Sequence, residues 1–290
     1  MKLLSHYPNH PHGKARTPGN WRGNSLNESL YYSFRSTHYC RLNYPSAIHY
    51  HDYFELVVFV EGDMHYLCED AAYAPSKGDV ILIPPGTMHM SVPDADETHY
   101  TRHVFYLCPD AFEPMNLPQL TDFLQPHRRM AVTRVNDETL ALLSRLDGAL
   151  ASEDAISRAM ALGLAIQFFC VLSRSRFEAG HATQRLPENV RAIQRYLDGH
   201  FAVIRNASDV ARHFYYSREY LSRLFRRHFN VTVSDYLAKK RIAHAQMLIA
   251  RGVSFSEACL QSGFENMGTF IRVFKSVSGL TPSQWRNSQS

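Results

Sequence analysis

Ser217-Arg-Glu-Tyr-Leu-Ser-Arg-Leu-Phe-Arg-Arg227 and, 49 residues further on, Asn266-Met-Gly-Thr-Phe-Ile-Arg-Val-Phe-Lys-Ser276 are one pattern written twice. Ser217 lies over Asn266, Leu221 over Phe270, Arg223 over Arg272, Leu224 over Val273, Phe225 over Phe274 and Arg226 over Lys275. The register continues through Thr232 over Thr281, Ser234 over Ser283 and Tyr236 over Trp285. At about 100° per residue, Leu221, Leu224 and Phe225 point to a core while Glu219, Ser222, Arg223 and Arg226 cover the opposite face. In the second copy Phe270, Val273 and Phe274 point inward, leaving Gly268, Ile271, Arg272 and Lys275 outside. A short helix and a tight turn (Phe214-Tyr215-Tyr216, then Gly263-Phe264-Glu265) precede each copy, which is the plan of a helix-turn-helix. Between the copies, Val233 to Ala250 reads as one helix, roughly 27 Å long, near the ~34 Å that separates successive major-groove turns of B-DNA.

The flanks agree with a helical module. N-caps are expected at Asn206, Ser217, Ser254 (with Glu257 as an S-x-x-E box), Asn266, and Thr281 ahead of Pro282, for about seven helices from Glu188 onward. Charge divides at the same place. Residues 185–290 hold 16 Lys+Arg against 7 Asp+Glu, a balance of +9, whereas residues 1–184 hold 15 against 20, a balance of −5. A compact basic segment joined to a mildly acidic one is the footprint of a nucleic-acid reader attached to something else.

The first copy, together with Arg241-Ile-Ala-His-Ala245, the run Gly263 to Lys275 and Gly279-Leu-Thr-Pro-Ser-Gln-Trp-Arg286, strongly resembles the AraC/XylS transcription regulators over residues 188–287. The resemblance implies double-stranded DNA as partner. It implies base contacts from Glu219, Ser222 and Arg223 in the first recognition helix and from Gly268, Thr269 and Arg272 in the second. Arg226 and Lys275 extend the two cationic faces. The chain departs from the family at Cys259, where Ala is usual, and at Gly268, where a side chain is expected. The second helix should therefore read less.

In the acidic half, turn signals separate short β segments: Tyr53–Val60, Asp63–Cys68, Asp79–Ile83, Met88–Val92 and Thr101–Leu107, with the β part ending near Pro109. His49, His51 and Glu55 share parity, so on a strand they project from one face beside Tyr53, Val57 and Phe59. With Gly78 to His89 they complete a pattern similar to the two cupin motifs, H-x-H-x3-E-x6-G ending at Gly62 and G-x5-P-x-G-x2-H; Asn43 and Pro93 replace the outer Gly and Asn. This resemblance implies a small β-barrel or jelly roll. His49, His51, Glu55 and His89 could ligate a divalent metal with open positions, or serve as hydrogen-bonding polars of a pocket that requires no cofactor. With Tyr53 and Phe59, the aromatic and polar lining suits a small polar effector such as a sugar. His65, His99 and His103 read as satisfied strand histidines, and His6, His10 and His12 as a solvated arm.

Composition bounds the rest. At 45% apolar and 20% charged residues, the chain is neither disordered in bulk nor a fibrous repeat. The window Ala159–Leu172 falls short of the roughly 20 residues of a membrane span, and the start lacks the apolar run of a secretory signal, so a cytoplasmic protein is expected. Five cysteines without a C-x-x-C pair imply no disulfide framework. The expected architecture is α+β and multidomain. It comprises an irregular arm (1–28), a cupin-like sensor (29–133), a helical dimerisation segment (134–175), a linker (176–187) and an all-α domain with two helix-turn-helix motifs (188–290). In the dimerisation segment, Asn136–Leu150 carries a leucine stripe and a second helix, capped by Ser152, runs to about Arg174; the two either simply pack back on the β domain or also present Ile156, Met160, Gly163, Gln167 and Cys170 as a seam to a second copy. The function expected is effector-controlled transcription regulation by a homodimer, with RNA polymerase as a partner if it activates. The alternative is a cupin metalloenzyme, an isomerase or dioxygenase, fused to a DNA-binding tail. An RNA-binding or architectural role is disfavoured by the spacing of the two motifs.

Overall fold

A computed structural model describes residues 22–27, 30–40, 48–51, 53–68, 71–95, 97–127, 129–152, 154–179 and 186–288. The strands, in chain order, are β1 (Arg22–Asn27), β2 (Leu30–Cys40), β3 (Phe54–Glu61), β4 (Met64–Cys68), β5 (Ala71–Tyr73), β6 (Asp79–Ile83), β7 (His89–Pro93), β8 (Glu97–Leu107), β9 (Ala131–Arg134) and β10 (Glu178–Ala179). Among the described residues they pair into a seven-stranded antiparallel sheet, β1-β2-β8-β3-β6-β9-β10, and a three-stranded one, β5-β4-β7. Strand parity sorts the side chains of the large sheet. Phe54, Leu56, Val58, Val80, Leu82 and Phe105 lie on the face covered by helices, while Val57, Phe59, Ile81, Ile83 and Tyr100 join β4 residues in the barrel interior.

The covering helices are α1 (Asp137–Ala149) and α2 (Ala155–Leu172). Asn136 caps α1 by accepting from the Thr139 N–H, and the stripe Leu140, Leu143 and Leu146 is buried. In α2, Phe168 stacks on Phe105 with ring centroids 5.0 Å apart, beside buried Phe169 and Leu172. Each such side chain contributes about 1.5–3 kcal/mol by leaving water. By length and composition alone α2 could cross a membrane, a property the shorter window of the sequence reading concealed; Ala161, Leu164, Ala165, Phe168, Phe169 and Leu172 are instead used in packing on the sheet.

Four expectations are corrected. Arg22–Asn27, placed in the irregular arm, pairs with β2 (Arg22 opposite Phe34), while residues 1–21, with the histidines at 6, 10 and 12, lie outside the described residues, as does Asn43. The β part does not end at Pro109, because β9 returns after two 3-10 turns to pair with β6 (Asp79 opposite Arg134), where Asp79 accepts from Arg134 Nε at 2.7 Å. Two residues of the expected linker, Glu178 and Ala179, pair with β9. Asp154 rather than Ser152 caps α2: its carboxylate accepts from the Ser157 N–H at 2.9 Å and also from Ser152 Oγ.

The C-terminal helices are α3 (Glu188–His200), α4 (Ala207–His213), α5 (Arg218–Phe229), α6 (Val233–Ala250), α7 (Phe255–Gln261), α8 (Met267–Ser278) and α9 (Pro282–Ser288). Asn206, Ser217, Ser254 and Asn266 cap as expected. Thr232 and Asp235 add a reciprocal capping box at the start of α6 that the sequence reading passed over. The barrel and the helices share a core: Ile48, Tyr50, Leu67, Met88 and Met90 pack in one cluster with Val190, Ile193, Leu221, Phe225 and Phe229. The Ile48 N–H donates to Phe229 O at 3.2 Å, and Lys239 Nζ donates to Ile48 O at 2.7 Å.

Candidate functional site

Each helix-turn-helix closes by the same hydrogen bonds. After α4, the Tyr215 N–H reaches Arg212 O and the Tyr216 N–H reaches Ala211 O; after α7, the Gly263 N–H reaches Leu260 O and the Phe264 N–H reaches Cys259 O. These are paired Schellman bonds, and they require a left-handed residue at the turn, here Tyr215 (φ 57°) and Gly263 (φ 80°). Ser217 Oγ then accepts from the Tyr220 N–H at 3.1 Å and Asn266 Oδ1 from the Thr269 N–H at 2.8 Å, starting the two recognition helices α5 and α8.

The recognition helices present the expected faces. Leu221, Phe225, Phe270 and Phe274 are buried, whereas Glu219, Arg223, Arg226, Gly268, Arg272 and Lys275 are exposed and Ser222 and Thr269 half-buried. Among the described residues, none of Arg223, Arg226, Arg272 and Lys275 has an ion-pair partner. Four unneutralised cations on two exposed helix faces, joined by the 18-residue α6, are suited to the phosphates and base edges of adjacent grooves.

In the barrel, His51, Glu55 and His89 converge and all three are buried; their ligand atoms lie within 4.8 Å of one another. His51 Nε2 is 2.9 Å from Glu55 Oε2, and His89 Nε2 is 3.2 Å from the same oxygen but lacks the alignment of a hydrogen bond. The other ring nitrogens face backbone carbonyls, His51 Nδ1 at 2.7 Å from Tyr53 O and His89 Nδ1 at 2.9 Å from Thr87 O. Burial works to raise the Glu55 carboxyl, but the His51 hydrogen bond and the nearness of His89 outweigh it and hold the group well below the usual carboxylate range. Burial in turn pulls His51 below the ordinary histidine value, against the opposing bond to Glu55.

The remaining predicted residues surround this centre. His49 bridges backbone to backbone with His89 and packs its ring 4.3 Å from the His89 ring, outside the ligand-atom cluster. Tyr53 stacks on His51 at 4.2 Å, and Phe59 sits deeper, 6.0 Å from Tyr100. His65, His99 and His103 are each hydrogen-bonded, to Asp94, Ser36 and Tyr32. Arg35 and Arg102 escaped the sequence reading. They stand directly opposite each other on β2 and β8, with relative exposures of 7% and 8% and with the parity of Tyr106 and Glu55. Arg35 Nε donates to Ser33 Oγ at 3.1 Å, and the Arg102 guanidinium lies 3.9 Å over the Tyr100 ring. Burial pushes the Tyr31 phenol up to about 12, with Arg35 opposing. The alternation Tyr31, Ser33, Arg35 was the available signal.

A barrel with a closed polar centre, joined through a shared core to a double helix-turn-helix reader, defines a ligand-responsive DNA-binding regulator. Comparison with known proteins gives the same answer for both halves: residues 35–169 match the AraC-like ligand binding domain and residues 210–288 the helix-turn-helix domain. The chain is an AraC-type DNA-binding transcription regulator with an N-terminal ligand-binding domain. It is similar to the HTH-type transcriptional activator RhaR of Salmonella arizonae, 27% identical over 261 residues, covering 84% of this chain and 89% of that protein. RhaR of Salmonella dublin is 27% identical over 259 residues, with the same coverage. Among solved structures, ToxT from Vibrio cholerae is 15% identical with a TM-score of 0.36, covering 89% of this chain and 97% of that one. The C-terminal domain of the response regulator yesN from Fusobacterium nucleatum is 28% identical with a TM-score of 0.33, covering 34% of this chain and 99% of that one.

Proposed function

We propose that the protein is a cytoplasmic activator that senses a small polar metabolite, a sugar, in its barrel and so changes how the two helix-turn-helix units engage operator DNA. The observation that carries this reading is the short segment Ile48–His51. One end holds the helical domain through Phe229 O and Lys239 Nζ, and the other carries His51 against Glu55. A ligand that competes for Glu55 pulls on the contact with α5 and α6. Tyr53, Tyr106 and the buried Arg35 and Arg102 supply the stacking surface and donors that a polyhydroxylated ligand uses. Activation is the role named for the RhaR relatives, and an activator role here makes RNA polymerase a partner in this reading.

The test is Glu55→Gln. DNA affinity without effector should hold, while the effector response, found by a thermal-shift sugar panel with operator DNA present and absent, should weaken by about 1.5–3 kcal/mol. A response unchanged by Glu55→Gln removes the barrel centre from sensing.

A specific observation favours a divalent metal in the same centre. Both histidines place Nδ1 on a backbone carbonyl and turn Nε2 toward Glu55 Oε2, so an ion that displaced the proton of the His51–Glu55 hydrogen bond would meet two Nε2 lone pairs and a carboxylate oxygen, with the Nδ1–carbonyl contacts as the outer shell of metal-ligating histidines. His51, Glu55 and His89 would hold the ion, which would offer Lewis acidity to effector hydroxyls. Elemental analysis of untagged protein should find about one ion per chain, and chelation should abolish the response. Metal-free protein that responds fully excludes this reading.

Most of the expected seam of α2 stays outside the core: Ile156 is 75% and Met160 56% exposed, Gln167 is exposed and Gly163 half-buried, while Cys170 packs against the core. We assign this face to a homodimer. Met160→Glu in the full chain should convert a dimer to a monomer in sedimentation at tens of micromolar, roughly the range of ordinary subunit affinities. Dimers that survive the substitution place the interface elsewhere.

A further inference from the structure

Helix α6 belongs to both reading units. Its residues Val233, Tyr236 and Leu237 pack in the first core and Ala245, Leu248 and Ile249 in the second; between them Ala243 goes to the first and Ile242 to the second. Arg241 stands at this handover, half-buried, and its guanidinium reaches the loop between α3 and α4, which is part of the first unit. Nε donates to Phe201 O at 2.8 Å and Nη2 to Ile204 O, so one planar fork holds both ends of residues 201–204. The same guanidinium lies 5.7 Å from the centroid of the Phe264 ring, in the turn of the second unit.

Two further contacts join this loop to that turn. His244, three residues along α6, sets its ring 5.1 Å from the Phe201 ring and pairs Nδ1 with Ser262 Oγ at 3.2 Å; the Ser262 side is fully buried. The Ala202 backbone approaches Gly263 so closely that a Cβ there would lie 2.3 Å from Ala202 O. The two units are therefore joined twice, once by the continuous run of α6 and once by a loop clamped between α6 and the second turn. Apolar packing on α6 is non-directional and tolerates small rotations of a unit about the helix, whereas charge-assisted bonds from a planar fork fix direction as well as distance.

We propose that Arg241 is a positioning residue for DNA recognition: it locks the α3–α4 loop against the turn of the second unit, and this brace, in addition to α6, makes the chain select half-sites at one spacing. One base pair added or removed between half-sites shifts the second by about 3.4 Å and about 34°. A braced pair of readers can meet that change only by distorting the duplex or by releasing one half-site. The brace acts whichever effector the barrel takes.

The test begins with selection of DNA from a random duplex library on the full-length protein. The recovered half-sites that lie one helical turn apart are then rebuilt at the selected spacing and at one base pair closer and one farther. The parent should prefer the selected spacing by at least about tenfold, roughly the effect of one mismatched base pair. Arg241→Lys keeps the charge but cannot span two carbonyls, so its preference should fall below about threefold, with base preferences inside each half-site unchanged. Ser262→Ala deletes only the bond to His244 and should lower the preference by about twofold. Circular dichroism checks that each variant is folded. A purely structural role for Arg241 would weaken binding at all three spacings by one factor, and that result would overturn the proposal. A selection that returns a single half-site, or a parent indifferent to spacing, would do the same. Should Arg241→Lys fail to fold, Ser262→Ala decides, and an unchanged spacing ratio in that variant would overturn the proposal.

Discussion

The two helix-turn-helix units differ in what lies behind them. The first shares its core with the barrel, since Leu221, Phe225 and Phe229 cluster with Ile48, Tyr50, Met88 and Met90. The second is self-contained: Ile242, Ile249, Phe264, Phe270, Phe274 and Trp285 form a cluster with no barrel residue in it. One repeated pattern has thus been placed in two mechanical settings. A change in the barrel reaches the first unit through packed side chains and the Ile48 hydrogen bonds, and reaches the second indirectly, by way of α6, the Ala202–Gly263 backbone approach and Val277 of α8 at the edge of the first cluster. The reading surfaces differ in the same sense, with Glu219 in the first where Gly268 stands in the second.

The largest effect that tests this contrast is at the turns. A Cβ on Gly263 would lie 2.3 Å from Ala202 O, and φ is 80°. Gly263→Ala should therefore destabilise the domain by roughly 2–4 kcal/mol, combining a close backbone contact with a left-handed penalty. Urea unfolding checks it, and a loss below about 0.5 kcal/mol, ordinary for surface changes, would mean that α7 is free to move off the Ala202 backbone. Next come the arginines. Arg223→Ala should cost about 1–3 kcal/mol on cognate DNA and relax preference at one position, and Arg272→Ala should cost less because Gly268 leaves its helix with fewer readers. Competition against random DNA separates the roles. Equal loss on specific and random sequence would make either arginine a phosphate contact.

The reader was legible in the sequence because its signals are local. Caps at Asn206, Ser217, Ser254 and Asn266 and a 3.6-residue apolar period lie within a turn or two of what they determine. The barrel was legible where its strands carry their own turn signals, so that the five expected segments overlap β3, β4, β6, β7 and β8, and where the two cupin-like motifs meet, at His51, Glu55 and His89. β2 went unassigned because its partner is far along the chain, Leu30 against Leu107, and because its inward residues Ser33 and Arg35 are polar and mask the apolar alternation. β9 is four residues long and acquires its meaning from Asp79, 55 positions earlier. The interdomain contact, Lys239 on Ile48 O, spans 191 positions and leaves no periodic trace.

Acid should act on the two units unequally. Burial lowers His103 from 6.5 to about 4, where it meets the Tyr32 hydroxyl at 2.7 Å. The unfolded chain takes up a proton below pH 6.5 that the folded barrel refuses until about pH 4, so stability falls across that window as pH drops. The loss should reach about 2 kcal/mol by pH 5. Hydrogen exchange should then show α5 loosening with the barrel while α8 keeps its protection, and His103→Phe should blunt the effect. Parallel loosening of α5 and α8 would mean that the cores are coupled through α6 after all.

The smallest effect bears on why the first turn uses tyrosine. Tyr215 holds φ 57° with its ring 97% exposed, so the side chain gains almost nothing from packing in return for the left-handed backbone. Such a conformation costs a non-glycine residue about 1–2 kcal/mol, while glycine loses about 0.5–1 kcal/mol more backbone freedom on folding. Tyr215→Gly should therefore stabilise the domain by up to about 1 kcal/mol, opposite in sign to Gly263→Ala at the matching position of the second turn. Strain kept at an exposed aromatic beside a recognition helix suits a residue that contacts DNA. The stabilised Tyr215→Gly protein should accordingly bind DNA more weakly than the parent, with the loss confined to the half-site read by α5. A variant that gains stability and keeps full DNA affinity would show the tyrosine to be strain without a use, and the two turns would then differ only in what Ala202 forbids at Gly263.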